Sequence, residues 1–189
     1  TIEKLRFSVP WKKREYSLAP YRFHGVPMWL YDVVSPDEEF SVSHYCSLAG
    51  AVVGNIQAAN KLPIIVGGTG LYIKSLLEPI ATIDIEQNKA LRKSLQGKSV
   101  SELQTQLQRE DPNAWEQLNE SDRHNPRRLV RKLELVGSSP AGKKAAVYDS
   151  YIIGLHAPLS FLYSRIDARV DERVSQGAFE EISAMQKRY

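Results

Sequence analysis

Cysteine is nearly absent. Cys46 is the only one in 189 residues, which excludes an internal disulfide framework as the source of stability. Histidine is almost as scarce, and the four present lack metal-ligand spacing, which argues against a zinc site. No apolar run approaches the ~18 residues of a membrane span. The N-terminal stretch TIEKLRFSVPWKKREYSLAP has basic residues but no apolar leader core. No membrane partner and a cytoplasmic location are therefore expected. A strong charge of one sign is missing too: a formal net charge of +3 points to nucleic acid only if the cations cluster. With no low-complexity tract, the bulk of the chain is expected to fold as one domain, with length enough for a subdomain.

What is present is organised around Leu62 to Leu77, LPIIVGGTGLYIKSLL. Pro63 opens an apolar run, and Ile64, Ile65 and Val66 are consecutive β-branched residues, the pattern of a strand buried on both faces of a parallel sheet. The run stops at Gly67, Gly68, Thr69 and Gly70, where an amphipathic helix is predicted to begin. Glycines at the carboxyl end of such a strand let a ligand approach the backbone, or they serve only a tight turn. The turn lacks the Gly-Lys-Ser/Thr ending of a P-loop and the spacing of a dinucleotide fingerprint.

Ahead of this unit, residues 1–26 mix Lys12, Lys13, Arg14, Tyr16, Tyr21 and Arg22 with Pro10 and Pro20 and show no sustained period. They read as an extended basic arm, suited to gripping nucleic acid or simply solvated. Met28 to Val34 reads as a strand ended by Ser35-Pro36-Asp37. Ser41 then reads as the N-cap of a helix over residues 42–60, with Val42, Tyr45, Leu48, Ala49, Val52, Val53, Ile56 and Ala59 on one face. Strand, helix, strand, helix makes a βαβα unit with its two strands parallel.

Beyond Pro79, three short polar segments, Ile85 to Gln96, Val100 to Arg109 and Pro112 to Asn119, are helix-compatible with no strand between them. They read as a helical insertion over 81–120 that is too small for a large core, with Trp115 as its packing anchor. Core residues are then expected at 27–80 and 121–189. Ser121 to Val136 concentrates Arg123, Arg127, Arg128, Arg131 and Lys132. Leu129, Val130, Leu133 and Val136 form the opposite, apolar stripe. Pro126 suits a first helical turn behind an Asn125 cap, and the cationic face is either a phosphate footprint or a solvated surface. A linker from Gly137 to Lys144 leads to a third apolar strand, Tyr151 to Leu155. A last helix follows, with Leu162, Ile166, Val170 and Val174 as the expected buried row. Arg165, Arg169 and Arg173 lie beside that row, either ion-paired to Asp167, Asp171 and Glu172 or turned into a phosphate-binding cleft.

Taken together, PIIVGGTGLYIKSLL, DVVSPDEEFSVSHY, DPNAWEQLNESDRHNPRRLVRKLEL and LYSRIDARVDERVSQGAFEEI resemble, in the right order, the tRNA dimethylallyltransferases (tRNA isopentenyltransferases). The resemblance implies an α/β fold with a P-loop NTPase-like parallel sheet flanked by helices and a small helical insertion. It also implies transfer of a dimethylallyl group from dimethylallyl diphosphate to N6 of the adenosine 3′ of the anticodon. The implied partners are a tRNA anticodon stem-loop and the diphosphate donor, with Mg²⁺ as cofactor and a monomer as the unit. By residue matching, Thr69 and Arg169 are the implied catalytic residues, Thr69 lining the channel for the base with Gly67 and Gly68, and Arg169 contacting the diphosphate. Arg127 and Arg128 match a basic pair that serves tRNA or the active-site wall, and no protein metal ligand is implied.

The family's P-loop and its Asp-Ser-x-Gln segment, with the catalytic Asp, are not found in this sequence. The family's His-His pair is Met28-Trp29 here. The expectation is a member shortened at both ends, with its activity alone left open. A non-catalytic RNA-binding remnant is the alternative, and a nucleotide-kinase reading fails on the missing P-loop.

Overall fold

The structure is a computed structural model that describes residues 5–68, 70–78, 80–83, 85–138 and 148–189. The chain divides into two compact units, Thr1–Leu62 with Tyr148–Tyr189, and Pro63–Val147.

The first unit opens with two hairpins where an irregular arm is expected from sequence. β1 (Phe7–Trp11) pairs antiparallel with β2 (Arg14–Leu18), Val9 standing opposite Tyr16, and β3 (Tyr21–Phe23) pairs with β4 (Val26–Met28). The second turn is His24-Gly25, with φ of 46° and 81°. Two left-handed residues make the primed turn whose twist matches that of the flanking strands. The first hairpin turns at Lys12, φ 54°, a residue that gives no turn signal, which is why its alternating apolar positions were read as an arm.

The strand expected at Met28 to Val34 ends at Met28. Leu30 (φ 67°) and Asp32 (φ 47°) leave the extended region. The bend is fastened by the Tyr21 hydroxyl donating to Asp32 Oδ2 at 2.5 Å and by Trp29 packing on Phe7, centroids 5.4 Å apart. Arg14 donates to Glu38 at 2.5 Å, and Glu38 accepts the Ser35 N–H at 2.8 Å. These bonds hold its carboxyl below the usual range.

α1 (Val42–Ala58) starts at Ser41, as its sequence predicts. The Ser41 N–H donates to His44 Nδ1 at 3.2 Å, and the Ser41 hydroxyl lies 2.7 Å from the same nitrogen. His44 therefore takes the place that Glu or Gln fills in a capping box. Its ring is flanked by Trp11 at 4.1 Å and Phe40 at 5.5 Å between centroids. Leu48, Ala49, Val52 and Val53 are buried, on the predicted face. Among the described residues that face packs on the β1–β2 hairpin, giving a core of Val9, Tyr16, Leu18, Leu48 and Val52.

The second unit is helical: α2 (Gly70–Leu77), α3 (Lys89–Leu95), α4 (Val100–Glu110), α5 (Pro112–Glu116), α6 (Glu120–Arg123) and α7 (Pro126–Leu135). Each of α3 to α7 begins on a side chain that accepts a first-turn N–H: Asn88, Ser99, Asp111, Asn119 and Asn125 in turn. Such caps contribute about 1 kcal/mol each and let helices as short as four residues persist. The segment over 81–120 does not pack alone: its Leu95, Leu103, Leu107 and Leu118 share a core with Leu129 and Leu133 of α7, and Trp115 packs at its edge.

One ion cluster ties this unit together. The Glu134 side chain has no exposed area and accepts from Arg92 Nε at 2.6 Å and Nη2 at 3.0 Å, from Arg131 Nη1 at 3.2 Å and from the Asn88 N–H at 3.0 Å. Arg131 also donates to the carbonyls of Thr82 (3.0 Å) and Ile85 (2.9 Å). Burial pushes the Glu134 carboxyl up, but the bonds from Arg92 and Arg131 outweigh it and leave it below the ordinary value.

The chain returns to the first unit at Tyr148. Residues 151–155, expected as a strand, pair with no strand among the described residues. α8 (Leu159–Ser175) and α9 (Ala178–Arg188) follow, joined at Gly177 with φ 97°. Neither helix buries a residue, and the row expected to be buried, Leu162, Ile166, Val170 and Val174, is exposed. The amphipathic pattern is genuine, but among the described residues nothing covers it. The expected linker residues from 139 to 144 lie outside the described residues.

Two outcomes test this fold. Burial first, then the charges of Lys12 and Arg14, hold His44 below its ordinary value against the pull of Glu39. A depressed histidine stabilises the fold above its unfolded pKa of about 6.5 and loses that contribution as pH falls through the folded value. Tryptophan-monitored melts should thus show stability falling below about pH 6.5. His44→Gln, which keeps an acceptor for the Ser41 N–H, should remove that part of the pH dependence; parallel curves would refute it. Glu134→Gln strands two arginines and should lower urea stability by about 3 kcal/mol, whereas a loss under about 1 kcal/mol would show the cluster to be no more than a surface pair.

Candidate functional site

α7 carries the densest group of cations, and local folding decides which of them face outward. Pro126 occupies the first turn, and Asn125 Oδ1 accepts the N–H groups of Arg127 at 3.0 Å and Arg128 at 3.3 Å. The helix entrance is therefore satisfied from within the chain. Arg131 is turned inward to Glu134 and the Thr82 and Ile85 carbonyls. Arg123 lies over the Trp115 ring at 4.6 Å from its centroid and donates to the Trp115 carbonyl at 3.4 Å. Arg128 is ion-paired with Asp122. Arg127 and Lys132 are left without an ion-pair partner among the described residues. The five-cation face read from sequence thus separates into structural and available charges.

The glycine turn has a different character. Gly67 and Gly68 are exposed and precede α2. Neither has a positive φ. A Cβ on Gly68 would meet nothing within 4 Å, and one on Gly67 would meet only Ile73 Cδ1, at an ordinary 3.6 Å. Among the described residues nothing local demands glycine at either position. Thr69 lies outside the described residues.

Arg169 sits mid-helix on α8 with its side chain exposed and without an ion-pair partner among the described residues. The same holds for Arg173, and Arg165 reaches only the Phe161 ring, 5.8 Å from its centroid. The ion pairs with Asp167, Asp171 and Glu172 that the sequence allows are not formed. The structure thus brings Arg127 and Arg128 together, sets Gly67 and Gly68 in an open loop, and leaves Arg169 free on a helix of the other unit.

A groove of about 440 Å³ in the first unit is lined by Arg14, Asp32, Glu38, Arg188 and Tyr189 among others. It contains none of the residues implied by resemblance. No group of three or more His, Cys, Asp or Glu side chains among the described residues could hold a metal ion. Mg²⁺ commonly rides on substrate phosphates with few protein ligands, and the described residues offer no cage beyond that. No described helix is long and apolar enough to cross a membrane. Sequence reading missed the Arg92–Glu134 pair, because partners 42 residues apart leave no periodic signal.

Comparison with known proteins gives this geometry a context. The sequence model described as IPP transferase matches residues 18–189. The chain is 37% identical over 169 residues to a tRNA dimethylallyltransferase of Anoxybacillus flavithermus, covering 85% of this chain and 53% of that one. It is 34% identical over 174 residues to the tRNA dimethylallyltransferase of Treponema pallidum, covering 87% and 54%. Among solved structures it resembles the tRNA isopentenylpyrophosphate transferase of Bacillus halodurans, with a TM-score of 0.53, 31% identity, and 87% of this chain and 53% of that one covered. The corresponding Staphylococcus epidermidis enzyme gives a TM-score of 0.51 at 26% identity, covering 87% and 56%. The chain spans about half the length of the curated relatives it matches and shares the α/β fold class of the solved transferases. With the family match running from residue 18 to the last residue, the chain belongs to the IPP transferase family.

Proposed function

We propose that this chain supplies the tRNA-facing and diphosphate-facing parts of a dimethylallyl transfer to N6 of the adenosine 3′ of an anticodon. The observation that carries the reading is the 37% identity to a tRNA dimethylallyltransferase across 85% of the chain. In the reaction the adenine N6 attacks C1 of the dimethylallyl group, and the C–O bond to diphosphate breaks. The diphosphate leaves with the electron pair, and a carboxylate takes the N6 proton. Mg²⁺ bound to the diphosphate would neutralise part of the charge that develops there.

The available residues suit these demands. Arg169, exposed and without an ion-pair partner among the described residues, offers a planar fork to the departing diphosphate. The open backbone at Gly67 and Gly68, with Thr69 beside it, suits the wall of a channel that receives a base drawn out of its stack. Arg127 and, after release from Asp122, Arg128 suit the tRNA backbone.

One observation favours a second reading, a non-catalytic RNA-binding member. The helical unit has its own capped, leucine-filled core and presents Arg127 and Lys132 without needing a donor site. Titration separates the two. Stabilisation of the chain by dimethylallyl diphosphate supports transfer, whereas salt-sensitive tRNA binding with no response to the donor supports binding alone.

Arg169→Ala should weaken diphosphate binding at least several-fold in calorimetry and leave the thermal midpoint unchanged, since the side chain makes no ion pair. A large loss of stability with intact binding would reverse that assignment. Arg127→Ala should lower affinity for an anticodon stem-loop and flatten the log Kd against log salt plot by about one unit. Arg128→Ala should do less, because its charge is already matched by Asp122.

A further inference from the structure

The sequence places Trp11, Lys12, Lys13 and Arg14 in consecutive positions, and neither the proposed transfer nor the cations of α7 call on them. The fold sets them at the tip of the β1–β2 hairpin, where Trp11 stands opposite Arg14 and Lys12, with φ 54°, makes the turn. The hairpin holds this tip in place. Val9, Tyr16 and Leu18 are buried with Leu48 and Val52 of α1, and Trp11 and Phe40 pack at the edge of that core. All of the hairpin but Leu18 precedes residues 18–189, which match the family model, so family membership gives it no task.

Trp11 is only half-buried. Its ring lies 4.1 Å from the His44 ring between centroids, and His44 is in turn fixed by the Ser41 N–H. Lys12 Nζ stands 4.6 Å from the Trp11 centroid, the place a cation takes over an electron-rich ring face. Lys13 is exposed and has no ion-pair partner among the described residues. Arg14 is committed elsewhere, its guanidinium donating to Glu38 and lying over the Tyr16 ring. Glu15 stands opposite Pro10, on the face of the hairpin turned away from the buried Val9 and Tyr16. A flat ring beside ammonium groups suits one kind of ligand. Inorganic phosphate or an acidic peptide would use the lysines and leave the indole idle. A lipid surface needs more apolar area than one half-buried ring. A duplex keeps its bases paired and stacked inside, whereas an unpaired strand offers a base to the indole and the next phosphate to a lysine.

We propose that the hairpin tip is a contact for an unpaired stretch of RNA, with one base stacked on Trp11 and an adjoining phosphate on Lys13. The base takes the place over the indole held by Lys12 Nζ, and the flexible stem of that lysine lets its charge follow the RNA backbone. Stacking on an aromatic ring tolerates any base, so this contact adds affinity rather than selectivity. The choice of RNA over DNA rests on the proposed function; the stacking contact does not.

The test uses the whole chain and a fluorescein-labelled oligouridylate of about ten nucleotides, read by anisotropy over a range of salt, with an RNA duplex of the same length for comparison. The strand should bind more tightly than the duplex. Trp11→Leu should weaken strand binding at least about fivefold, and Trp11→Tyr, which keeps a stacking face, should recover most of that loss. Lys13→Gln should flatten the log Kd against log salt plot by about 0.7. If Trp11→Leu loses its cooperative thermal transition, Lys13→Gln decides alone, because its side chain is exposed. Equal binding of strand and duplex, unchanged affinity in a folded Trp11→Leu, or an unchanged salt slope in Lys13→Gln each overturns the proposal. Arg127→Ala on the same strand keeps the two readings apart: a loss there with both hairpin variants unaffected removes the hairpin contact and leaves the proposed function standing.

Discussion

A single carboxylate without exposed area, Glu134, fixes the form of the helical unit. Leaving water costs it several kcal/mol, so it is tolerable only with its oxygens occupied. Arg92 brings α3 to it, Arg131 brings the carbonyls of Thr82 and Ile85, and the Asn88 N–H joins the start of α3 to the end of α7. Replacing the whole cluster with apolar side chains of equal volume could serve stability as well. What the cluster adds is direction, since its bonds tie the start of α3, the carbonyls of Thr82 and Ile85 and the end of α7 to one carboxylate.

That arrangement also sorts the cations. A tally of charges over residues 121–136 suggests a uniform basic face. The fold instead commits Arg131 to Glu134 and two backbone carbonyls, Arg123 to an indole ring and Arg128 to a neighbouring carboxylate. What remains for a polyanion is narrower and better placed than the composition implies. Few, fixed contacts bind at lower cost than many loose ones, because each loose side chain must be ordered on binding.

How much of this could be read from sequence follows the reach of each signal. The caps at Ser41, Asn125 and Pro126, and the face of α1, were legible because they depend on residues within a turn or two. The hairpins were missed because Lys12 is not a turn residue by type, and because Pro10 and Pro20 obscure the alternation around Val9 and Tyr16. The strands expected at Ile64–Val66 and Tyr151–Leu155 are not formed among the described residues: an apolar β-branched run is a local pattern, whereas a strand is a relation between two segments that composition does not report. Of the proposed site residues, family motifs pointed to Arg127, Arg128, Arg169 and the glycines. Only the structure could show that Arg169 has no ion-pair partner among the described residues and that Gly67 and Gly68 are exposed.

The five capped helices have a consequence for how the protein is made. Most described hydrogen bonds of the helical unit close within one turn of helix, and only the cluster around Glu134 and Arg131 reaches far along the chain, up to 49 residues from Thr82 to Arg131. Low contact order of this kind favours fast folding. Because domains generally form as they are synthesised, this unit can close on the ribosome once Leu135 has emerged, before α8 and α9 exist. The nascent chain would then carry a finished leucine-filled core before its last two helices have been made.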